Sequence, residues 1–290
     1  MVSPRDGPRV RCSVDTSART LAGRRKAAAL IRSVGSVGRA LAADVGDAIW
    51  PRVCWVCGRP AVRDTRPLAC EEHDLGPATA SMREGPRCGR CAGRLPPGIR
   101  HGLTCAACRL RGGSPSRAIC AIDYRVAGAA DWLLRFKHGA RRDLAVPLAG
   151  ILAAACREAD DWSADRMLVP VPLHSARRIE RGHDQAALLA SELEALGLGR
   201  RAPALRRLRH TPPQGAPDAP SRAANVRCAF AVRRPRWLVR GVSVWIVDDV
   251  LTTGSTAAAC ALALRRAGAR EVGVLAVARA GDRPGTLAPR

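Results

Sequence analysis

The chain has 290 residues, a length that suits one large domain or two smaller ones. Apolar residues make up 47% of it, which is enough for a sizeable core and excludes a protein that is disordered throughout. No apolar run approaches the roughly 18–20 residues that cross a bilayer, and the sequence has no readable N-terminal address. We therefore expect a cytoplasmic protein with no membrane association.

The net charge of +23 is carried almost wholly by arginine, because only Lys26 and Lys137 among the 48 basic residues are lysine. A chain this basic attracts polyanions, so nucleic acid is one candidate partner. The excess of arginine, together with much alanine, glycine and proline, also indicates the coding bias of a GC-rich genome. The charge alone is therefore weak support for a nucleic-acid partner.

The first fifty residues form two stretches of different character. Residues 1–26 are polar and arginine-rich without a clear period, which predicts a disordered extension or a misassigned start. In residues 27–50, apolar side chains recur every three or four positions, which predicts an amphipathic helix. We expect this helix to pack on the domains that follow it, and a membrane-surface helix is the alternative.

The next stretch, the cysteine-rich module (residues 51–112), carries seven of the 12 cysteines. Two thiols separated by two residues can reach one tetrahedral metal ion, and two such turns complete a structural zinc site. Gly58 and Gly89 fit these turns because glycine tolerates a positive φ. The predicted metal ligands are Cys54, Cys57, Cys70, His73, Cys88, Cys91, Cys105 and Cys108.

These eight ligands predict two structural zinc ions, with no open position for catalysis. The ligands could pair in sequence order or interleave in a cross-brace, and their spacing does not decide between the two. A disulfide cluster is the alternative to zinc, but no secretory signal supports it.

Strand-like and helix-like segments alternate in residues 113–282, and residues 283–290 form a tail. Strands are predicted at 117–125, 167–171, 242–247 and 272–277. Helices are predicted at 129–136, 144–156, 185–196 and 255–267, and residues 200–225 are predicted to be a loop. The alternation predicts an α/β domain with a mostly parallel sheet.

An apolar strand that runs into Asp248 and Asp249 is followed by a Thr/Gly/Ser loop and a helix. Residues 252–256 would offer backbone N–H groups and hydroxyls at a helix N-terminus, which suits a phosphate. Adjacent carboxylates can accept hydrogen bonds from vicinal sugar hydroxyls or hold Mg²⁺ through water. Together they predict a ribose 5-phosphate site, and the alternative is a helix cap preceded by two buried aspartates.

Residues 244–256 resemble the phosphoribosyl pyrophosphate (PRPP) motif of type I phosphoribosyltransferases. Residues 41–280 resemble the ComF family of competence-associated, phosphoribosyltransferase-like proteins with an N-terminal zinc finger. Further matching stretches are 136–139, 170–177, 181–186, 207–214 and 222–225. The chain departs from the family pattern at His183 and Asp184, which replace Phe and Asn, and at His73, which replaces a cysteine.

The resemblance implies an α/β fold with a type I phosphoribosyltransferase-like, mostly parallel sheet and flanking helices, preceded by a small zinc-finger module. Asp248 and Asp249 would be the catalytic acids that bind the ribose, and residues 200–225 would form a mobile loop over the site. Contacts to PRPP or its phosphates are implied for Thr252, Thr253, Gly254, Ser255, Thr256, Pro172, Leu173, His174, Lys137, Arg177, Arg181, Arg207 and Arg209.

The implied function is the binding or transfer of a phosphoribosyl group with Mg²⁺, linked to DNA uptake. The acceptor could be a base, an amine or ammonia, and His174, His183 and Asp249 are candidate general bases. DNA or a protein of the competence machinery is a possible partner. Two alternatives remain: a nucleic-acid-binding accessory that keeps the PRPP fold as a scaffold, and a PRPP or nucleotide sensor without turnover.

Overall fold

A five-stranded, wholly parallel sheet forms the centre of the described chain, with its strands in the order β1-β7-β6-β2-β3. Its strands are β1 (Ala118–Asp123), β2 (Met167–Pro170), β3 (Arg200–Arg201), β6 (Ser243–Leu251) and β7 (Glu271–Arg279). A separate antiparallel pair consists of β4 (Leu205–Arg207) and β5 (Phe230–Val232). The computed structural model describes residues 52–62, 65, 67–110, 113–159, 162–173, 178–179, 182–208, 229–233 and 236–281.

Helices cover both faces of the sheet. They are α1 (Gly76–Arg83), α2 (Ala106–Leu110), α3 (Ala129–His138), α4 (Ala145–Arg157), α5 (Gln185–Ala195) and α6 (Ser255–Arg266). Short 3₁₀ turns lie at Glu71–His73, Arg142–Leu144 and Arg236–Val239. Helices α3, α4 and α5 share one buried cluster with alternate residues of the strands, whereas α6, β4 and β5 share the other cluster.

The strands are buried on both faces, as parallel strands covered by helices must be. Strand β6 shows the alternation: Trp245 and Val247 lie in the first cluster, and Val244 and Ile246 lie in the second. The parallel register carries the strand ends to one edge of the sheet, where Pro170 pairs with Val247 and Leu251 pairs with Arg279. This carboxyl edge is where ligands bind in open α/β sheets.

The structure corrects two expectations about local structure. Strand β6 does not end before the acid pair, because its ladder with β7 continues through Asp248 and Leu251. The prediction of a loop at 200–225 is wrong for its described part, because residues 200–201 pair with β2 and residues 205–207 pair with β5. The predictions for residues 1–26, 27–50 and 283–290 lie outside the described residues.

The cysteine-rich module packs directly on the α/β part, and both belong to one compact unit. The indole Nε1 of Trp132, a fully buried side chain of α3, donates a hydrogen bond to the His73 carbonyl at 2.8 Å. Gly128, with φ +81°, lies so close that an added Cβ would be 2.4 Å from the Glu72 carbonyl oxygen. The boundary at residue 112 stays a prediction. Within the described ranges, no helix is long and apolar enough to cross a membrane.

Candidate functional site

The eight predicted metal ligands form two groups that follow sequence order. Within each group the ligand atoms all lie within 4.8 Å of one another. The first group is Cys54, Cys57, Cys70 and His73, and the second is Cys88, Cys91, Cys105 and Cys108. The grouping is consecutive, so the cross-brace is excluded for these ligands. The sulfurs of Cys57 and Cys70 lie 3.7 Å apart, and those of Cys91 and Cys105 lie 3.8 Å apart. Both distances are much too long for a disulfide bond.

Arg59 supports the thiolate form of Cys57 in the first group. Its guanidinium donates hydrogen bonds to the sulfurs of Cys57 at 3.4 Å and Cys70 at 3.7 Å, and it also pairs with Glu72. The hydrogen bond from Arg59 lowers the pKa of Cys57 to about 6. Because metals bind thiolates rather than thiols, this environment favours metal binding.

The histidine of the first group is oriented for coordination. Its Nδ1 lies 3.2 Å from the Cys70 sulfur, and its Nε2 faces an Asp131 carboxylate oxygen at 3.6 Å. A carboxylate on the distal nitrogen fixes the ring of a metal-binding histidine. Three sulfurs with one imidazole, and four sulfurs in the second group, are donor sets that fit zinc. Both groups could therefore hold zinc.

Two glycines in the turns of the metal groups have different roles. Gly58 has the predicted positive φ, at +76°. Gly89 does not have a positive φ, and the prediction for it is wrong. Gly89 is required by a close approach instead, because a Cβ there would lie 2.5 Å from the Gly102 carbonyl oxygen.

A polar cleft opens at the carboxyl edge of the sheet. Its lining residues are Lys137, Val171, Pro172, Leu173, Asp184, Gln185, Ala186, Arg207, Asp248, Asp249 and Thr256. Seven of these are candidate site residues from the sequence, contributed by α3, the turn after β2, β4, β6 and α6. The structure therefore brings together residues that are more than a hundred positions apart in the chain.

The acid pair lies on β6 at the floor of this cleft. Asp249 is 9% exposed, and one of its carboxylate oxygens lies 3.1 Å from the Lys137 Nζ. Burial, and then repulsion from Asp249, raises the pKa of Asp248 from its ordinary value of 3.8 to about 8. Two adjacent carboxylates in a half-buried site therefore favour a proton or a cation between them.

The loop after β6 leads into the N-terminus of α6. Gly254 is the N-cap residue and has φ +74°, a left-handed conformation that glycine adopts readily. The hydroxyls of Thr253 and Ser255 lie 3.0 Å apart, and Thr256 in the first turn of α6 lines the cleft. Thr252 to Gly254 form the adjoining loop, and Ser255 begins α6. The free N–H groups of a first helical turn and the helix dipole attract anions.

Residues 183–185 lie at the cleft and form hydrogen bonds to α3 and α5. Asp184 caps α5 by accepting a hydrogen bond from the Ala187 N–H at 3.1 Å, and it also pairs with Arg178 at 3.3 Å. The buried His183 shares a 2.8 Å hydrogen bond with the Phe136 carbonyl, so its Nε2 is a donor and not a free base. Gln185 donates to the Lys137 carbonyl at 3.2 Å. Asp184 and Gln185 were not among the predicted site residues, although both belong to the matched stretch 181–186.

One wall of the cleft is basic. The Arg207 guanidinium lies 5.4 Å from the centre of the Phe230 ring, an arrangement that pairs a cation with an aromatic face. It is contributed by β4, which β5 holds in place through an antiparallel ladder. Four further predicted contacts, His174, Arg177, Arg181 and Arg209, lie outside the described residues.

Comparison with known proteins identifies the family. No protein-family model matches the chain. Competence protein F of Haemophilus influenzae is 31% identical over 205 residues, which cover 69% of this chain and 87% of that protein. The chain belongs to the ComF family. ComF-family relatives named DNA utilization protein YhgH, from Salmonella typhimurium and Escherichia coli K12, are 32% and 31% identical over 231 residues, which cover 78% of this chain and 90% of each relative.

Among solved structures, two similar chains are titled as an allosteric regulatory enzyme of purine biosynthesis and as a glutamine PRPP amidotransferase from B. subtilis. Their TM-scores are 0.32 and 0.34 at 20% and 22% identity, and they cover 50% and 49% of this ComF-family chain. The chain spans about 30% of the length of each. The predicted family is confirmed by the relatives. The predicted fold class is confirmed by the parallel sheet, its flanking helices and the two cysteine clusters that precede it.

Proposed function

We propose that the protein binds PRPP together with Mg²⁺ in the cleft at the carboxyl edge of the sheet. The observation that supports this most strongly is the convergence, in one cleft, of an acid pair, a helix N-terminus and two cations from separate elements. An acid pair suits ribose hydroxyls, whereas a helix N-terminus and basic side chains suit phosphates. Membership of the ComF family agrees with this assignment.

Each part of the ligand has a matching part of the cleft. Asp248 and Asp249 would accept hydrogen bonds from the ribose hydroxyls. The loop 252–256 would hold the 5-phosphate at the N-terminus of α6. Pro172 and Leu173, in the turn after β2, would border the pyrophosphate, and Arg207 would pair with its oxygens.

The acid pair also suits Mg²⁺, which binds proteins through one or two carboxylates, water and the phosphates of its substrate. Lys137 supplies the positive charge beside Asp249 in the structure described here. When bound, Mg²⁺ would neutralise part of the pyrophosphate charge. The residues of the chain would then hold the sugar, orient the phosphates and shield the site from water, so positioning and electrostatics would account for most of the catalysis.

Transfer would break the bond between C1 of the ribose and the pyrophosphate oxygen, and the pyrophosphate would leave with the bonding electrons. A base, an amine or ammonia would form the new bond at C1 and lose a proton. Arg207 and Lys137 are the described cations that would stabilise the leaving group. The names of the relatives support a role for this chemistry in the uptake or use of DNA.

We further propose that each cysteine group holds one structural zinc ion. The supporting observations are the complete sets of four ligands and the hydrogen bonds of Arg59 to two of the sulfurs. Because each group already has four protein ligands, no position is open for a reacting water.

Titration calorimetry of the purified protein with PRPP tests the main proposal. We expect saturable binding of one PRPP per chain with Mg²⁺ present and weaker binding when Mg²⁺ is replaced by a chelator. Absence of saturable binding in both conditions would overturn the proposal. Tight binding of short DNA in the same preparation would then favour an accessory that keeps the fold as a scaffold.

A second experiment separates an enzyme from a sensor. Pyrophosphate release would be followed with PRPP, Mg²⁺ and either ammonia, small amines or nucleobases. Release that depends on one acceptor class is expected for a transferase. Binding without release with any of them would indicate a sensor.

A further inference from the structure

A buried arginine lies behind the loop that follows the acid pair. Arg279 is the last residue of β7 and is 6% exposed. Its Nη1 donates hydrogen bonds to the carbonyls of Leu251 at 3.0 Å and Thr252 at 2.7 Å, and it also contacts the Ala280 carbonyl. Arg279 is paired in register with Leu251, so its side chain reaches across one strand spacing to the point where β6 ends.

This contact lies where the backbone leaves the ladder and enters the loop. The Leu251 carbonyl also accepts a hydrogen bond from the Ala280 N–H at 3.0 Å, whereas the Thr252 carbonyl lies beyond the last pair of the ladder. A carbonyl without a strand partner needs another donor. A guanidinium has several donors and can satisfy more than one carbonyl at once. Arg279 therefore fixes the orientation of two successive peptide groups, those that follow Leu251 and Thr252.

The orientation of those peptide groups bears on anion binding. In a trans peptide the N–H points away from the C=O, so a Thr252 carbonyl bound by Arg279 directs the Thr253 N–H away from the arginine. The next residues are Gly254, with its left-handed backbone, and Ser255, the first residue of α6. Arg279 also places a buried positive charge behind this turn, which favours an anion on its far side.

We infer that Arg279 is a positioning residue that holds the loop 252–256 in its anion-binding conformation. The inference rests on the proposed function, because it takes this loop to be the 5-phosphate site. It differs from a general role in folding. A positioning residue affects the ligand that uses the loop and spares a ligand that uses the opposite side of the cleft.

Ribose 5-phosphate and inorganic pyrophosphate are the two probes that make this distinction. The first carries the phosphate assigned to the loop, and the second carries only the group assigned to the turn after β2 and Arg207. Arg279→Met removes the donors and the charge while keeping much of the side-chain volume. Arg270→Met is the matched control, because Arg270 precedes the same strand at the opposite edge of the sheet and is exposed.

In Arg279→Met we expect the affinity for ribose 5-phosphate to fall by about tenfold or more, the size expected when charged hydrogen bonds are lost. Affinity for pyrophosphate with Mg²⁺ should stay within about twofold of wild type, since pyrophosphate does not use the loop. Arg279→Lys should recover part of the lost affinity for ribose 5-phosphate, because lysine restores the positive charge but not the several N–H donors of the guanidinium. Arg270→Met should leave both affinities unchanged. An equal loss for both probes, or no loss for ribose 5-phosphate, would overturn the inference.

Hydrogen exchange of the loop amides tests the same inference without any ligand. Exchange at residues 253–257 should be faster in Arg279→Met than in wild type or Arg270→Met, while exchange in β7 and α4 should be unchanged. Unchanged exchange at 253–257 would overturn the inference. If wild type binds neither probe but exchange at the loop responds as expected, the proposed function is wrong and the positioning role of Arg279 stands.

Discussion

Two adjacent carboxylates near the carboxyl end of a central strand are unfavourable unless a ligand or a cation compensates them. Asp248 and Asp249 have this position on β6, and Lys137 compensates only the second of them directly. Residues at binding sites are often held in such unfavourable environments, which reduces stability in exchange for function. Substitutions of this acid pair should therefore change both the free energy of unfolding and the affinity for the ligand.

The pKa of Asp248 gives a prediction about stability and pH. It is about 8 in the folded protein and 3.8 for an ordinary aspartate, so between these values the folded protein keeps a proton that the unfolded chain has lost. Stability should therefore fall as pH rises through this window. Asp248→Asn removes this dependence, and we expect its free energy of unfolding to exceed that of wild type by at least about 1 kcal/mol at pH 9.

Urea unfolding of both proteins at pH 6 and pH 9 measures this effect. The advantage of Asp248→Asn should be larger at pH 9. A matched control is Asp165→Asn, because Asp165 is exposed and its pKa is lowered by Ser163. An advantage of Asp248→Asn that does not grow with pH would contradict the assignment of the raised pKa.

Neighbouring arginines on β4 allow a second test at the residue scale. Arg207 lines the cleft, whereas Arg206 is exposed and does not. Arg207→Ala should weaken PRPP binding about tenfold or more, because a charged hydrogen bond to a phosphate is lost. Arg206→Ala should bind as wild type does. Equal affinities of the two variants in calorimetry would remove Arg207 from the site.

At the scale of elements, the apolar segments were predictable from sequence, whereas the strands of two or three residues were not. Strand β7 follows from an unbroken apolar run and helix α6 from a run of alanine and leucine that Gly268 ends. Their predicted positions agree with the structure within one or two residues. Strand β3 has only two residues and β4 has three, so neither contains enough positions to show a period. Their pairing depends on distant partners. Polar Asp248 and Asp249 interrupt the apolar run of β6, so the sequence does not reveal that its ladder continues.

The candidate site was only partly predictable for a related reason. Seven predicted residues line the cleft because sequence motifs mark strand ends and loops that a parallel sheet carries to one edge. The pairing of Lys137 with Asp249 and the support from Arg279 depend on side-chain packing between elements, for which the sequence has no periodic signal. The order of the metal ligands was open for the same reason, since all the cysteine pairs have the same spacing.

The cysteine-rich module packs closely on the start of α3, so a methyl group added at Gly128 should reduce the free energy of unfolding. Gly128→Ala would place a Cβ 2.4 Å from the Glu72 carbonyl oxygen in a left-handed backbone conformation. We expect a loss of about 2 kcal/mol or more in the free energy of unfolding. Gly150→Ala, in the exposed middle of α4 with open space around it, should be neutral or slightly stabilising. Similar Tm values for both variants would mean that the module does not pack on α3 as described.

At the scale of the whole molecule, the two metal groups predict the composition of the purified protein. Elemental analysis should find about two zinc ions per chain, because each group has four ligands. Cys105→Ser should reduce the count to about one, and a chelator should lower the Tm, because metal binding contributes to folding free energy. A zinc count near zero, together with a Tm that the chelator leaves unchanged, would contradict the structural zinc sites.

The chain combines a net charge of +23 with a cleft suited to phosphates, so a binding experiment must separate polyanion attraction from specific recognition. Replacing Asp248 and Asp249 together by asparagine does this, because it removes the negative charge of the acid pair and keeps the side-chain volumes. Attraction for a polyanion can only increase in this variant. Recognition of a ribose by charged hydrogen bonds must decrease.

Titration of PRPP with Mg²⁺ into wild type and the double asparagine variant, with short DNA as the comparison ligand, is the most direct test of the central claim. We predict that wild type binds PRPP and that the variant loses about tenfold or more in affinity, because charged hydrogen bonds contribute about 1.5–3 kcal/mol each. Binding of DNA, where present, should persist or strengthen. Equal PRPP affinity in the two proteins, or no PRPP binding by wild type, would contradict the assignment of this cleft as a PRPP site.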